Sequence, residues 1–191
     1  PISIDHKLHI RAPFHPPANT DIEIVIMPKM SFGTGHHETT FLMAKMLLDQ
    51  NFEHQTVLDM GSGTAILAII AEKRGAAQID AIDIDPWCFE NGKENIVLNR
   101  CSRINVRQGD ASVLGYRQYD CIIANINRNI LLQDLPAYHR VLKPNGQLFL
   151  SGFYEADFTA IDQAVSTIGY NLRNKESKNQ WVAAQWVKAG F

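Results

Sequence analysis

The sequence has 191 residues, of which 46% are hydrophobic and 20% charged, and this favours one domain whose core needs neither disulfides nor structural metals. The formal net charge of -2 provides no global basic field for nucleic acid, although a local basic patch stays open. Three cysteines without metal-like spacing suit a reducing, cytoplasmic location. No apolar run approaches the roughly 18 residues of a membrane-spanning helix.

Residues 1–30 differ in pattern from the rest of the chain. Apolar residues alternate with polar ones over Ile2–Ile10 and Ile22–Ile26, which predicts two short strands. The proline-rich stretch Ala12–Pro17 predicts an irregular connection between them. Because the chain begins with Pro1 and not Met, we expect 1–30 to be short strands and a linker from a missing N-terminal domain. Residues 31–191 then form the main domain.

A first helix is predicted around Leu42–Leu47, and from Thr56 onward strands and helices alternate. Strands are predicted at Thr56–Asp59, Ile79–Ile84, Ile104–Gln108, Asp120–Ala124 and Gln147–Ser151. Helices are predicted at Ile66–Arg74, Pro86–Leu98, Arg128–Val141 and Ala156–Ile168. This α/β pattern indicates a Rossmann-like parallel sheet covered on both faces. Two final strands, Tyr170–Lys175 and Trp181–Val187, are predicted to form an antiparallel pair joined by the turn 176–179.

A glycine-rich turn follows the first strand of this series. Val57–Asp59 leads into Gly61-Ser62-Gly63, and a helix begins near Ile66, so a ligand can approach the backbone at a helix N-terminus. A loop that needs glycine only for its dihedral angles is the alternative. A dinucleotide fingerprint requires a third glycine where Ile66 stands. Asp59 disfavours a pyrophosphate and favours the amino group and sulfonium of S-adenosyl-L-methionine, so we expect that cofactor.

Three further acids follow the next two strands. Asp83 lies 22 residues beyond Gly61, near the offset at which an acid meets ribose hydroxyls in such folds. Asp85 precedes Pro86, which is typical of a helix N-cap, so we assign Asp83 to ribose and Asp85 to capping. Asp110 is a candidate acceptor for the adenine amine and equally a turn residue, and both interpretations stay open.

Two asparagines follow the fourth predicted strand. Asn125 is the candidate catalytic residue, because its amide oxygen can accept an N–H from an amine and aim the lone pair of the nitrogen. Its alternative is a helix cap, a position for which Asn127 is the better candidate. The run Asn125–Arg128 lacks the proline and the aromatic ring that stack on planar targets, so we expect an aliphatic amine as acceptor.

These motifs resemble the series of class I S-adenosylmethionine-dependent methyltransferases: Asp59–Gly63, Asp83–Pro86, Asn125-Ile126 and Leu142–Gly146. The segment Ser31–Thr40, SFGTGHHETT, is similar to the "AFGTGxHxTT" segment of the PrmA-type ribosomal protein L-eleven methyltransferases. The chain departs from the family pattern at His36 and Glu38 in this segment, at Ala65 in the glycine turn, and at Ile126–Asn129, which is more polar than in the family. The resemblance covers essentially the whole chain.

The resemblance implies a protein methyltransferase that modifies lysine or amino-terminal amines of a ribosomal protein. The missing N-terminal domain is then the one that recognises this partner. Expected cofactor-binding residues are Phe32, Thr34, Gly35, Thr40, Asp59, Gly61, Gly63, Asp83, Asp110 and Asn125. Aromatic candidates to line an amine channel are Phe32, Phe153 and Tyr154, and the favoured alternative is that two of the three are core or rim aromatics.

Several alternatives remain at this point. Within the same class, the acceptor is a small molecule or RNA. From other classes, the chain is a nicotinamide-dependent oxidoreductase or a binding module without activity. The adjacent His36 and His37 lack an accompanying ligand set, so we expect no metal site.

Overall fold

The computed structural model describes residues 1–27, 29 and 37–191, with His37 described by its backbone alone. Its strands are β1 (Ile2–Ile4), β2 (Leu8–Arg11), β3 (Ile22–Val25), β4 (Thr56–Met60), β5 (Gln78–Asp83), β6 (Ile104–Gln108), β7 (Tyr119–Asn125), β8 (Leu142–Tyr154), β9 (Tyr170–Lys178) and β10 (Trp181–Lys188). Its helices are α1 (His37–Leu48), α2 (Ile66–Lys73), α3 (Pro86–Leu98), α4 (Arg128–Val141) and α5 (Glu155–Thr167), with a 3-10 turn at Ala111–Val113.

Seven strands form one sheet in the order β6-β5-β4-β7-β8-β10-β9. The strands from β6 to β8 pair in parallel, whereas β10 pairs antiparallel with both β8 and β9. The predicted fold class is therefore confirmed, including the antiparallel pair at the C-terminal end. The strand order reverses direction at β4, and ligands of such sheets bind beside the carboxyl ends of the strands at this point.

Both faces of the sheet are buried. Adjacent residues of each central strand point to opposite faces, and both sets of side chains belong to a core. Val57 and Ile123 contribute to the core beneath α1 and α2, whereas Leu58 and Ile122 contribute to the core beneath α4 and α5. Continuous apolar strands of this kind give a rigid platform for the polar residues at their ends.

The N-terminal region forms three strands where the alternation predicted two. Asp5 takes a left-handed conformation with φ 50°, and β1 folds back antiparallel onto β2. The apolar side chains of this small sheet pack into the same core as α1 and α2, and they include Ile4, Leu8, Ile10 and Ile24.

The C-terminal turn is shorter than the sequence predicted. β9 continues to Lys178, which pairs with Trp181, so the turn consists of Asn179 and Gln180. Both have positive φ, 50° and 70°, as two-residue hairpin turns require.

The ranges 1–27, 29 and 37–191 contain no helix long and apolar enough to cross a membrane. The same ranges contain no group of three or more His, Cys, Asp or Glu side chains able to hold a metal ion.

Candidate functional site at the carboxyl edge of the sheet

The glycine turn and the end of β7 meet at the carboxyl edge of the sheet. Gly61 has φ +69°, and an added Cβ there would lie 2.6 Å from Cγ1 of Ile126, the residue after Asn125. A side chain at position 61 is therefore excluded by conformation and by space. This contact sets the turn directly beside Asn125.

The backbone of the turn adopts three left-handed residues, Gly61, Gly63 and Ala65. Ala65 has a φ of 66°, a left-handed conformation that is unfavourable for a residue with a Cβ atom. The N–H groups of Gly61 and Ser62 both donate to the carbonyl of Ile82, at 2.8 and 3.0 Å. β5 therefore fixes the entry to the turn.

Asp83 is half-buried at the end of β5 and accepts two backbone hydrogen bonds. Its Oδ2 accepts from Gly63 N–H at 2.8 Å, and its Oδ1 accepts from Asp85 N–H at 3.0 Å. A carboxylate has about four acceptor positions, so capacity for a hydroxyl donor remains. Asp83 therefore organises the turn and keeps an acceptor at its rim.

Asp59 is fully buried beneath the turn, with 1% of its surface exposed. Its Oδ2 accepts from Ala68 N–H at 3.1 Å, in the first turn of α2. Burial is the main cause that raises the pKa of Asp59 to about 7, and the nearby charge of Asp83 raises it further. A cation placed at this site favours the ionised carboxylate.

The two predicted helix caps are confirmed. Asp85 Oδ1 accepts from Trp87 N–H at 2.8 Å with Pro86 at the start of α3. Asn127 Oδ1 accepts from Ile130 N–H at 3.1 Å at the start of α4. Asn125 is thereby released from the capping role that was its alternative.

Asp110 is exposed and begins the 3-10 turn after β6. Its Oδ1 accepts from the N–H and the hydroxyl of Ser112, at 2.9 and 2.5 Å. These bonds hold the pKa of Asp110 below its usual value. The turn role has this direct support, and the adenine role stays a prediction.

Asn125 ends β7, half-buried, and is joined to α1. Its Nδ2 donates to Thr39 Oγ1 at 3.3 Å, and Thr39 is 1% exposed. Within the described residues, no donor reaches Asn125 Oδ1. The amide is thus anchored to α1 through its nitrogen. Thr40, the predicted cofactor contact, lies half-buried one residue further along α1.

Part of the predicted site lies outside the described residues, namely Phe32, Thr34, Gly35 and His36. Of the two other aromatic candidates, Phe153 is 1% exposed and belongs to the core, so it cannot line a channel. Tyr154 is 48% exposed and lies against Trp181, with ring centroids 4.0 Å apart.

Two residues at this edge escaped the sequence analysis. Thr39 anchors Asn125, although 86 positions separate them, and no local pattern indicates such a contact. Ile84 follows Asp83 and is 68% exposed, which is unusual for isoleucine and places an apolar surface beside the candidate ribose acceptor. The sequence did carry a signal for Ile84, because it is an apolar residue between two acids, Asp83 and Asp85, at the end of a predicted strand.

Comparison with known proteins was consistent with this geometry. The family model described as Ribosomal protein L11 methyltransferase (PrmA) matches residues 1–189. A ribosomal protein L11 methyltransferase of Porphyromonas gingivalis is 50% identical over 189 residues, covering 98% of this chain and 65% of the relative. One of Phocaeicola vulgatus is 46% identical, covering 98% and 67% respectively. The chain therefore spans about two thirds of the length of these relatives.

A solved structure is also similar. The crystal structure of a ribosomal protein L11 methylase from Lactobacillus delbrueckii subsp. bulgaricus superposes with a TM-score of 0.88 at 26% identity. The match covers 98% of this chain and 97% of that one. Because the family model matches residues 1–189 and these relatives are up to 50% identical, the chain belongs to the ribosomal protein L11 methyltransferase (PrmA) family.

Proposed function

We propose that this chain is the catalytic domain of an S-adenosylmethionine-dependent methyltransferase that methylates lysine or amino-terminal amines of ribosomal protein L11. The observation that carries the proposal is that the acid-flanked glycine turn meets the chain at Asn125 and Ile126, where β7 ends, at one edge of the sheet. The names of the relatives, all ribosomal protein L11 methyltransferases, support the choice of partner.

The residues at this edge fit the parts of the cofactor. Asp83 offers acceptor capacity to ribose hydroxyls, and the exposed side chain of Ile84 offers an apolar surface to the adenine ring. Asp59 supplies negative charge behind the turn, where the amino group and sulfonium are expected. Further cofactor contacts proposed are Phe32, Thr34, Gly35, Thr40, Gly61, Gly63, Asp110 and Asn125.

When bound, the cofactor supplies a methyl group on a positively charged leaving group. The protein then has to hold the acceptor amine in line and to exclude water. Asn125 Oδ1 accepts an N–H from the neutral amine, which directs the nitrogen lone pair at the methyl group. The Thr39 contact keeps the amide from rotating, so that this oxygen faces the acceptor.

No strong base is needed at the site, because the amine loses its proton before it is positioned and the charged leaving group favours transfer. The described carboxylates at this edge, Asp59 and Asp83, accept hydrogen bonds from backbone N–H groups, which is consistent with a reaction that needs no strong base. The chain after Asn125 carries no aromatic ring in Ile126–Arg128, which favours an aliphatic amine over a planar base.

We further propose that residues 1–30 connect this domain to a substrate-recognition domain and that the protein works in the cytoplasm. The part of the relatives that lies outside the match supports the first point. The spacing of Cys88, Cys101 and Cys121 in the sequence, which shows neither close pairs nor a metal-like pattern, supports the second.

The proposal is tested by incubating the purified protein with methyl-labelled S-adenosylmethionine and either ribosomal protein L11 or ribosomal RNA. We expect label in L11, located by mass spectrometry on lysine or amino-terminal nitrogen, and labelling that is roughly 30-fold slower with Asn125→Ala at matched concentration. Label in RNA alone would contradict the choice of acceptor. Absence of cofactor binding would contradict the activity itself.

A further inference from the structure

Three asparagines form a buried row along α3. Asn91, Asn95 and Asn99 are spaced four residues apart, which places them on one face of the helix. They are 1%, 0% and 7% exposed. Buried amides are costly unless they form hydrogen bonds, so the partners of this row define its role.

The side-chain amides of this row form hydrogen bonds with backbone N–H and carbonyl groups at and just after the end of β3, as a neighbouring strand would. Asn99 Oδ1 accepts from Val25 N–H at 2.8 Å, and its Nδ2 donates to the Val25 carbonyl at 2.7 Å. Asn95 Oδ1 accepts from Met27 N–H at 2.9 Å. Asn91 Nδ2 donates to the Met27 carbonyl at 3.4 Å.

Asn95 has a second partner that distinguishes it from Asn99. Its Nδ2 donates at 3.0 Å to the carbonyl of Thr64, inside the glycine turn. The N–H of the same peptide group, from Ala65, donates to the Ser62 carbonyl at 2.7 Å. The peptide between Thr64 and Ala65 is therefore fixed at both its polar atoms.

This peptide precedes the strained point of the turn. Ala65 is left-handed, and rotation of the peptide between Thr64 and Ala65 is the simplest way to relieve that conformation. Rotation would turn the Thr64 carbonyl away from Asn95 and leave a buried amide unsatisfied. The bond from Asn95 therefore opposes collapse of the turn into a relaxed shape.

We propose that Asn95 is a positioning residue for the cofactor: it holds the glycine turn in its binding shape and ties it to the chain at Met27. The inference rests on the proposed function. Met27 precedes the Ser31–Thr40 motif by four residues, so one side chain joins the glycine turn to the chain that leads into this motif. Asn99 holds the same region of chain without touching the turn.

Asn95→Ala and Asn99→Ala form a matched pair for the test. Both remove a buried amide that binds the end of β3, so both lower the melting temperature. Isothermal titration with S-adenosylmethionine is expected to show about a tenfold increase of Kd for Asn95→Ala and less than about a twofold change for Asn99→Ala.

If circular dichroism shows that Asn95→Ala does not fold, Asn95→Asp replaces it, with Asn99→Asp as its control. Aspartate at position 95 keeps the acceptor for Met27 N–H and removes the donor to Thr64. The affinity for S-adenosylmethionine should therefore again fall for Asn95→Asp and not for Asn99→Asp. Equal loss in both members of a pair, or wild-type affinity at position 95, overturns the inference. If the wild-type protein itself does not bind S-adenosylmethionine, the proposed function fails first, and the two failures are thus distinguishable.

Discussion

The carboxyl edge of the sheet has two halves that are built differently. At β4 and β5, the acids are engaged by backbone N–H groups of the glycine turn and of α2 and α3. At β7 and β8, Asn125 has one side-chain contact, and the aromatic surface of Tyr154 is open. The acids of the first half are tied to the backbone by hydrogen bonds, whereas the side chains of the second half contact other side chains.

We therefore expect mutations in the two halves to change different measured quantities. Substitutions at the ends of β4 and β5 should change cofactor affinity, because they alter the shape of the binding turn. Substitutions at the end of β7 should change turnover more than affinity, because they alter the aim of the acceptor. The following predictions test that division.

Asp83→Ala is expected to have the largest effect. It removes the acceptor for Gly63 N–H and for Asp85 N–H together with the proposed ribose acceptor, so Kd for S-adenosylmethionine should rise about 100-fold or more. Isothermal titration measures it, with Asp120→Ala, far from the turn, as control. Unchanged affinity would refute the ribose assignment.

Asn125→Ala should lower turnover by roughly 30-fold and weaken cofactor binding far less. The reason is that Asn125 aims the acceptor and lies outside the backbone network of the turn. Single-turnover kinetics with L11 separate the two quantities. Thr39→Val, which removes the anchoring hydroxyl, should lower turnover less. If Asn125→Ala keeps the wild-type turnover, the proposed aiming role of Asn125 is wrong.

Asp59→Asn should abolish part of the pH dependence of cofactor binding. Because burial raises the pKa of Asp59 to about 7, the carboxyl is largely neutral at pH 6 and ionised at pH 8. A cationic ligand prefers the ionised form, so wild-type affinity should rise through pH 7, by about fivefold across this range. The free energy of unfolding depends on pH in the opposite direction. Because the pKa of Asp59 is raised in the folded protein, its contribution to stability is present in acid and is lost as pH rises through about 7.

The measurement is the ratio of wild-type to Asp59→Asn affinity at each pH, which cancels titration of the ligand. Asparagine keeps an acceptor for Ala68 N–H, so the fold is preserved. Parallel profiles for the two proteins would show that Asp59 is only a helix cap.

Asp110→Ala should have the smallest effect, about a threefold rise of Kd, because the group is exposed and binds at most one edge of the base. The control is a donor analogue with hypoxanthine in place of adenine, which lacks the exocyclic amine. If Asp110 accepts from that amine, the mutation should not change affinity for the analogue. An equal loss for both ligands favours the turn role alone.

Local signals predicted much of the fold. α3 and α4 have the predicted bounds, because Asp85-Pro86 and Asn127 are strong N-terminal signals. The N-terminal hairpin was missed because Ile4 and Leu8 keep the same even spacing across the turn, so the alternation carries no break. The contact from Asn125 to Thr39 and the bond from Asn95 to Thr64 depend on helix placement, which sequence spacing does not encode.

The most direct test of the account is titration of the purified protein with S-adenosylmethionine and, separately, with an oxidised nicotinamide dinucleotide. The buried charge of Asp59 and the helix residue Ile66 where a third glycine is required predict saturable binding of the first and none of the second. Binding of the dinucleotide in preference to S-adenosylmethionine would contradict the central claim.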